Sequence, residues 1–193
     1  MASCAMRVTK SAGPPPTRSK LHEAALAHLA RYGTTQAGLV RVLDRRVDRW
    51  ARLAGEVEPE IVAGCRRAVR EVAQALVASG VIDDAAFAET RAHGLTQAGR
   101  SQRAVAAHLR ARGVAYDVVR TALPDDPDIE LAACLAFTRR RRIGAFRRPD
   151  AEPQDLREMG MLARAGFSHE IASRALQMDS EEADAMVIRL KQS

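Results

Sequence analysis

Two stretches of this chain carry one apolar skeleton. When "AVAAHLRARGVAYDVVRTAL" (Ala104–Leu123) is laid over "REMGMLARAGFSHEIASRAL" (Arg157–Leu176), Leu109 falls on Leu162, Gly113 on Gly166 and Val114 on Phe167. Val118 then falls on Ile171, Ala122 on Ala175 and Leu123 on Leu176. The apolar spacing and the turn glycine recur, and the polar residues do not. A segment that repeats its buried face but not its exposed one is a structural module, because each unit must bury that face on a neighbour. The competing reading is the helix-turn-helix of a sequence-specific DNA reader. Such a reader presents Arg, Asn, Gln or Ser to base edges from the first turns of its second helix. Here the second helix offers Tyr116, Asp117 and Arg120 and is cut short at Pro124. Asp117 near its start repels phosphate, so the scaffold reading is preferred.

The rest of the chain follows the same plan. Hydrophobic residues make up 47% and aromatics 4% of the 193 residues, so the core is built mostly from Ala, Leu and Val. Those residues, with the many arginines, favour helices over sheets. The first group of three helices is expected within 19–80. Its apolar stripes are Leu21, Ala25, Leu26 and Leu29, then Leu39, Leu43, Val47, Trp50 and Leu53, then Ile61, Cys65, Val69, Val72 and Leu76. Thr34 or Thr35 is the expected N-cap of the second helix. A second three-helix repeat is expected over 81–126, opening at Asp83 or Asp84 with Ser101 as a later cap. A third covers 127–178, its first helix running through "DIELAACLAFTRRRRIGAF". Residues 179–193 form a short C-terminal helix or tail, with Asp179 and Glu182 at capping-box spacing. Gly13-Pro14-Pro15-Pro16 cannot be helical, so residues 1–18 are assigned to a flexible N-terminal tail. The fold class is all-α, with tandem three-helix repeats in an elongated monomer.

Thirty Lys and Arg against 24 Asp and Glu leave a net charge of +6, which favours nucleic acid or an acidic protein surface as partner. Cys4, Cys65 and Cys134 are scattered and form no CxxC, as in free buried thiols of a reducing compartment. No apolar run is long enough to cross a bilayer and the first twenty residues contain no secretory apolar core. The expected location is therefore cytoplasmic. Histidines 22, 28, 93, 108 and 169 show no metal-ligand spacing, and no P-loop, dinucleotide fingerprint or nucleophile elbow occurs. Neither a cofactor, a metal nor a catalytic residue is expected, and the chain is not read as an enzyme.

The densest charge lies in "TRRRRIGAFRRP", where Arg139, Arg140, Arg141, Arg142, Arg147 and Arg148 fall beside Phe137 and Phe146. Cations favour a helix C-terminus, but this density exceeds what capping needs, so the cluster is a candidate phosphate- or carboxylate-binding patch. Arg100, Arg103 and Arg110 share a helical face with little acid beside it, as either a binding face or a solvated one. The stripe of Arg41, Arg45, Arg49 and Arg52 is interleaved with Asp44 and Asp48 and is read as a solvated face.

"LVASGVIDDAAFAETRAHGLTQAGRSQRAVAAHLRARGV" resembles the central signature of the bacterial RecX family, regulators of the RecA recombinase. Gly80, Asp84, Phe87, Ala88, Gly99, Arg100, Leu109 and Gly113 stand at the matching positions. "LARAGFSHEIASRAL" resembles the family's C-terminal unit through Leu162, Gly166, Phe167, Ser168 and Ile171. The turn after Gly99 departs from the pattern, the first triplet is weakly matched, and nothing beyond Leu176 is matched. The resemblance implies a curved array of three-helix repeats that binds the RecA filament on DNA, restraining strand exchange, ATP turnover and co-protease action in DNA repair and the SOS response. It also leaves room for weak, sequence-indifferent contact with single- or double-stranded DNA. The alternative is a helical nucleic-acid-binding protein that acts without RecA.

Overall fold

A computed structural model describes residues 13–192, apart from 149, 151 and 153. Among the described residues the regular elements are ten α-helices and one 3₁₀ turn, with no strand. The chain divides into two compact units, Met1–Asp83 and Asp84–Ser193. No helix is long and apolar enough to cross a membrane.

The first unit holds α1 (Arg18–Leu29), α2 (Gln36–Ala54) and α3 (Pro59–Ala78). Thr35 caps α2 by accepting from the Gly38 amide at 2.9 Å, and Pro59 opens α3 where its missing N–H costs nothing. Leu21 and Ala25 from α1 pack with Leu39, Leu43 and Val47 of α2 and with Cys65, Val69, Val72 and Leu76 of α3. Fully burying a leucine or valine is worth about 1.5–3 kcal/mol, so this shared seam holds the three helices together. The expected stripes fade at helix ends, where no neighbour covers them: Leu26, Leu53 and Ile61 are exposed. The start of the described chain is tied down as well. Trp50 Nε1 donates to the Gly13 carbonyl at 2.8 Å, and the Cys65 thiol lies 3.8 Å from the Pro16 carbonyl. Residues 13–16, assigned from sequence to a flexible tail, thus have fixed partners on α2 and α3. Residues 1–12, with Cys4, lie outside the described residues.

The second unit runs α4 (Asp84–Gln97), α5 (Gln102–Arg112), α6 (Tyr116–Ala122), α7 (Pro127–Arg141), the 3₁₀ turn Gly144–Phe146, α8 (Asp155–Ala165), α9 (His169–Gln177) and α10 (Ser180–Gln192). One core joins α4, α5 and α6 through Ala88, Ala92, Leu95, Val105, Leu109, Val114 and Val119. A second is centred on the buried run Leu131–Leu135 of α7 and takes in Leu162, Phe167, Ile171, Ala175, Val187 and Leu190. The segment after residue 179 is therefore a full helix that packs on α7, started by Asp179 Oδ1 accepting from the Glu181 amide at 2.8 Å.

The two copies of the repeated skeleton end their first helix in the same way. Gly113 (φ +88°) and Gly166 (φ +99°) are left-handed, and the amides of Val114 and Phe167 reach back to the carbonyls of Leu109 and Leu162, both at 3.2 Å. This Schellman closure requires the glycine's φ and buries the apolar residue after it. The helix α7 ends by the same device without a glycine. Arg142 takes φ +57°, and the Ile143 amide bonds to the Thr138 carbonyl at 3.1 Å. The helix therefore stops at Arg141, short of the sequence expectation, because Ile143 must turn inward to be buried.

Candidate functional site

Within the second unit, the start of α5 is wedged against α7 and α8. Ser101 is fully buried: its Oγ donates to the Ala165 carbonyl at 2.7 Å and accepts from the Ala104 amide at 3.3 Å, so one hydroxyl caps α5 and closes the end of α8. Glu130 of α7 accepts from the Gln102 amide at 2.9 Å; burial raises its carboxyl above the ordinary range, and that hydrogen bond partly offsets the shift. Two glycines make this approach possible. A methyl group on Gly99 would lie 2.7 Å from the Phe137 backbone nitrogen, and one on Gly166 would lie 2.5 Å from Ser101 Oγ and 3.5 Å from Arg103 Nε. The α4–α5 turn, the end of α7 and the α8–α9 turn thus converge.

Arginines from the start of α5 and the end of α7 meet there. Arg140 Nη1 donates to the Ala98 carbonyl at 2.7 Å, next to Gly99 and the exposed Arg100. The guanidinium carbons of Arg140 and Arg141 stand 5.6 and 5.5 Å from the centre of the Phe137 ring, within cation–π range. Phe137 in turn meets Phe167 edge-on at 6.0 Å, and Phe167 follows the glycine against which Arg103 rests. Arg100, Arg103 and Arg141 are exposed and have no ion-pair partner among the described residues. Together they form a positively charged surface whose side chains are partly held in place by aromatic packing and backbone bonds.

The remaining sequence-derived candidates go elsewhere. Arg139 pairs with Asp184 of α10 at 3.2 Å and lies over Phe146. Arg147 is clamped by Glu158: Nη2–Oε2 is 2.7 Å and Nε–Oε1 is 3.2 Å, and Glu158 is only 4% exposed. The hydrogen bond to this carboxylate raises the Arg147 pKa above its ordinary value. Glu158 Oε2 also accepts from the Gly144 amide at 3.2 Å, so the pair pins the 3₁₀ turn to α8. Arg142 and Arg148 are exposed and have no ion-pair partner among the described residues, and Arg110 stands in the last turn of α5. In the first unit, Asp48 reaches across to Arg66 of α3 at 2.9 Å. Sequence reasoning passed over Arg91, which donates from Nε to His108 Nε2 at 3.3 Å. The signal available for it was the lack of acid from Arg100 to Gly113.

Chemically, this surface offers charge and hydrogen-bond donors. Among the described residues no group of His, Cys, Asp and Glu side chains could hold a metal ion. Cys134 is fully buried, and burial first, then Glu130, pushes its thiol up to about 12, far from the thiolate form.

The family model for the second three-helix domain of RecX matches residues 83–123, which span α4, α5 and α6. Over 160 residues the chain is 38% identical to the regulatory protein RecX of Myxococcus xanthus (strain DK1622), covering 81% of this chain and 83% of that one. The chain belongs to the RecX family. The regulatory protein RecX of Thermobifida fusca (strain YX) is 34% identical over 173 residues, covering 89% of this chain and 84% of its own. The fold agrees with the crystal structure of RecX from Lactobacillus salivarius, at a TM-score of 0.58 and 16% identity, over 87% of this chain and 97% of that one. In RecX terms, Arg100, Arg103 and Arg110 lie inside the matched second domain, whereas Arg140 and Arg141 come from the helices that follow it.

Proposed function

We propose that this RecX-family chain is a non-enzymatic regulator that binds the RecA recombinase and its DNA filament and mainly inhibits recombinase, ATPase and co-protease activity in DNA repair and the SOS response. The observation that carries the reading beyond family membership is the converging arginine surface. Arg100, Arg103 and Arg141, with Arg140 beside them, present cations to solvent without acids to neutralise them. Guanidinium groups fork onto carboxylate and phosphate alike, which suits a filament made of protein and nucleic acid. Contact with DNA on this surface is sequence-indifferent, since no helix presents a base-reading set.

The test is ATP hydrolysis by RecA on single-stranded DNA, titrated with this protein. One exposed arginine contributes about 0.2–1 kcal/mol, so Arg103→Ala alone changes inhibition little. Replacing Arg100, Arg103 and Arg141 together by Ala leaves no acid stranded and is expected to weaken inhibition by about 3- to 150-fold, the product of three such losses. Far-UV circular dichroism serves as the folding control. A wild-type protein that leaves RecA's ATPase untouched refutes the regulator reading. A folded triple variant that inhibits like wild type moves the contact off this surface.

A further inference from the structure

Inside the second unit, the α4–α6 group and the α7–α10 group meet around one buried hydroxyl. Ser101 serves both sides at once: its Oγ accepts from the Ala104 amide at 3.3 Å to start α5 and donates to the Ala165 carbonyl at 2.7 Å at the end of α8. The repeated skeleton shows what this position does elsewhere. Gln154 stands in the second copy where Ser101 stands in the first, is exposed, and caps α8 with no side-chain hydrogen bond. Both copies nevertheless end their first helix in a left-handed glycine. The helix pair therefore folds without a buried cap. Ser101 answers to the neighbouring group as well as to its own helix.

Three further contacts close on the same junction from different elements. Gly99, buried at φ +76°, brings the α4–α5 turn so near α7 that a methyl group there would lie 2.7 Å from the Phe137 nitrogen and 3.1 Å from the Ala133 carbonyl oxygen. Glu130 of α7 accepts from the Gln102 amide, at the first residue of α5, at 2.9 Å. Arg140 spans the outer edge to the Ala98 carbonyl at 2.7 Å. A hinge needs an axis about which two bodies turn without losing their contacts. Here a rotation that preserves the Ser101 bond to the end of α8 lengthens the Glu130 and Arg140 bonds to α7, and the close backbone packing at Gly99 resists sliding.

We propose that these contacts lock the α4–α6 and α7–α10 groups into one rigid body in the free protein, with Ser101, Glu130 and Arg140 as its positioning residues. The lock fixes the spacing of Arg100 and Arg103 on one side from Arg141 on the other before any partner arrives. A partner meets both groups in one register, and changing that register costs the whole set of contacts rather than one of them. The lock is read on the free chain. Its failure leaves the regulator reading standing, and a chain that ignores RecA leaves the lock standing.

The experiment measures residual dipolar couplings of the backbone amides of the full chain, weakly aligned in solution. Fitted separately, α4–α6 and α7–α10 of the wild type are expected to give one alignment tensor, equal in orientation and magnitude. Glu130→Ala and Arg140→Ala made together, neither of them a hydrophobic-core residue, are expected to split it. The couplings within each group still fit that group's own fold, which is the folding control. Glu130→Gln alone keeps an oxygen that accepts from the Gln102 amide and retains the single tensor. Hydrogen exchange gives a second reading. Arg140→Ala is expected to speed exchange of the Ala104 amide, whose bond runs to Ser101 and not to Arg140, by about two- to twelvefold, the change in opening for one lost neutral hydrogen bond. A wild-type protein whose two groups give different tensors overturns the proposal. So does a folded double variant that keeps one tensor and exchanges at Ala104 like wild type.

Discussion

Arg147 belongs by sequence to a run of six arginines, yet its geometry makes it a structural residue, and removing it tests that assignment. Its side chain is 20% exposed and that of Glu158 6%. Arg147→Ala leaves a buried carboxylate with the Gly144 amide as its one remaining hydrogen-bond donor. Breaking a buried pair from one side costs about 3–5 kcal/mol, and the partial exposure of Arg147 places this pair near 3. Glu158→Ala is milder, about 2 kcal/mol, because the freed guanidinium has Asp155 at 3.9 Å and solvent nearby. Arg148→Ala, one residue on and exposed, changes stability by less than about 0.5 kcal/mol. Urea unfolding followed by circular dichroism measures all three, and the double variant closes a cycle that isolates the coupling. Equal, near-zero losses for Arg147→Ala and Arg148→Ala would refute the reasoning. So would a coupling below about 0.5 kcal/mol.

Two further variants probe the turns that carry the site. Gly166→Ala forces a side chain into φ +99° and against Ser101 Oγ, which its bond to the Ala165 carbonyl holds in place. A loss of about 2–4 kcal/mol in urea unfolding is expected from left-handed strain and overpacking together, whereas Gly64→Ala, inside α3 where the added methyl meets only the end of Arg67 at 3.7 Å, gains about 0.5–1. Arg142→Gly should raise stability by about 0.5–1 kcal/mol, the left-handed penalty relieved less the entropy that glycine adds to the unfolded chain; a loss would show that the Arg142 side chain has a structural role.

The helical fold was legible because its signals are local. Gly113 and Gly166 announce left-handed helix ends, Pro59 and Thr35 announce starts, and the apolar spacing between them has the helical period. What escaped was set by partners distant in sequence. Arg142 carries no glycine to mark the end of α7; the burial of Ile143 decides it. Residues 13–16 look like tail because nothing local fixes them, and Trp50, 37 positions beyond Gly13, supplies the bond. Leu26, Leu53 and Ile61 fit the period but lie where no neighbouring helix reaches them.

The site was legible only as composition. A run of arginines in sequence is not a surface in space, because α7 turns successive side chains about its axis and the chain then bends at Arg142. Arg139 is drawn to Asp184 and Arg147 to Glu158, so two of the six cations are neutralised by acids of α10 and α8. Arg140 instead reaches Ala98, 42 residues away, and joins Arg100 and Arg103 from the preceding repeat. An ion pair across helices leaves no trace in the spacing of either residue, whereas the absence of acid along a whole helix does. That is why Arg103 and Arg110 of α5 have no ion-pair partner among the described residues, whereas Arg139 and Arg147 do. Charge available on a surface is set by which acids the fold brings within reach, and on α5 the fold brings Arg91 of α4 against His108. On the proposed function, an anionic partner meets a surface already organised by Ser101, Glu130 and Phe137. It therefore gives up little ordering entropy on binding.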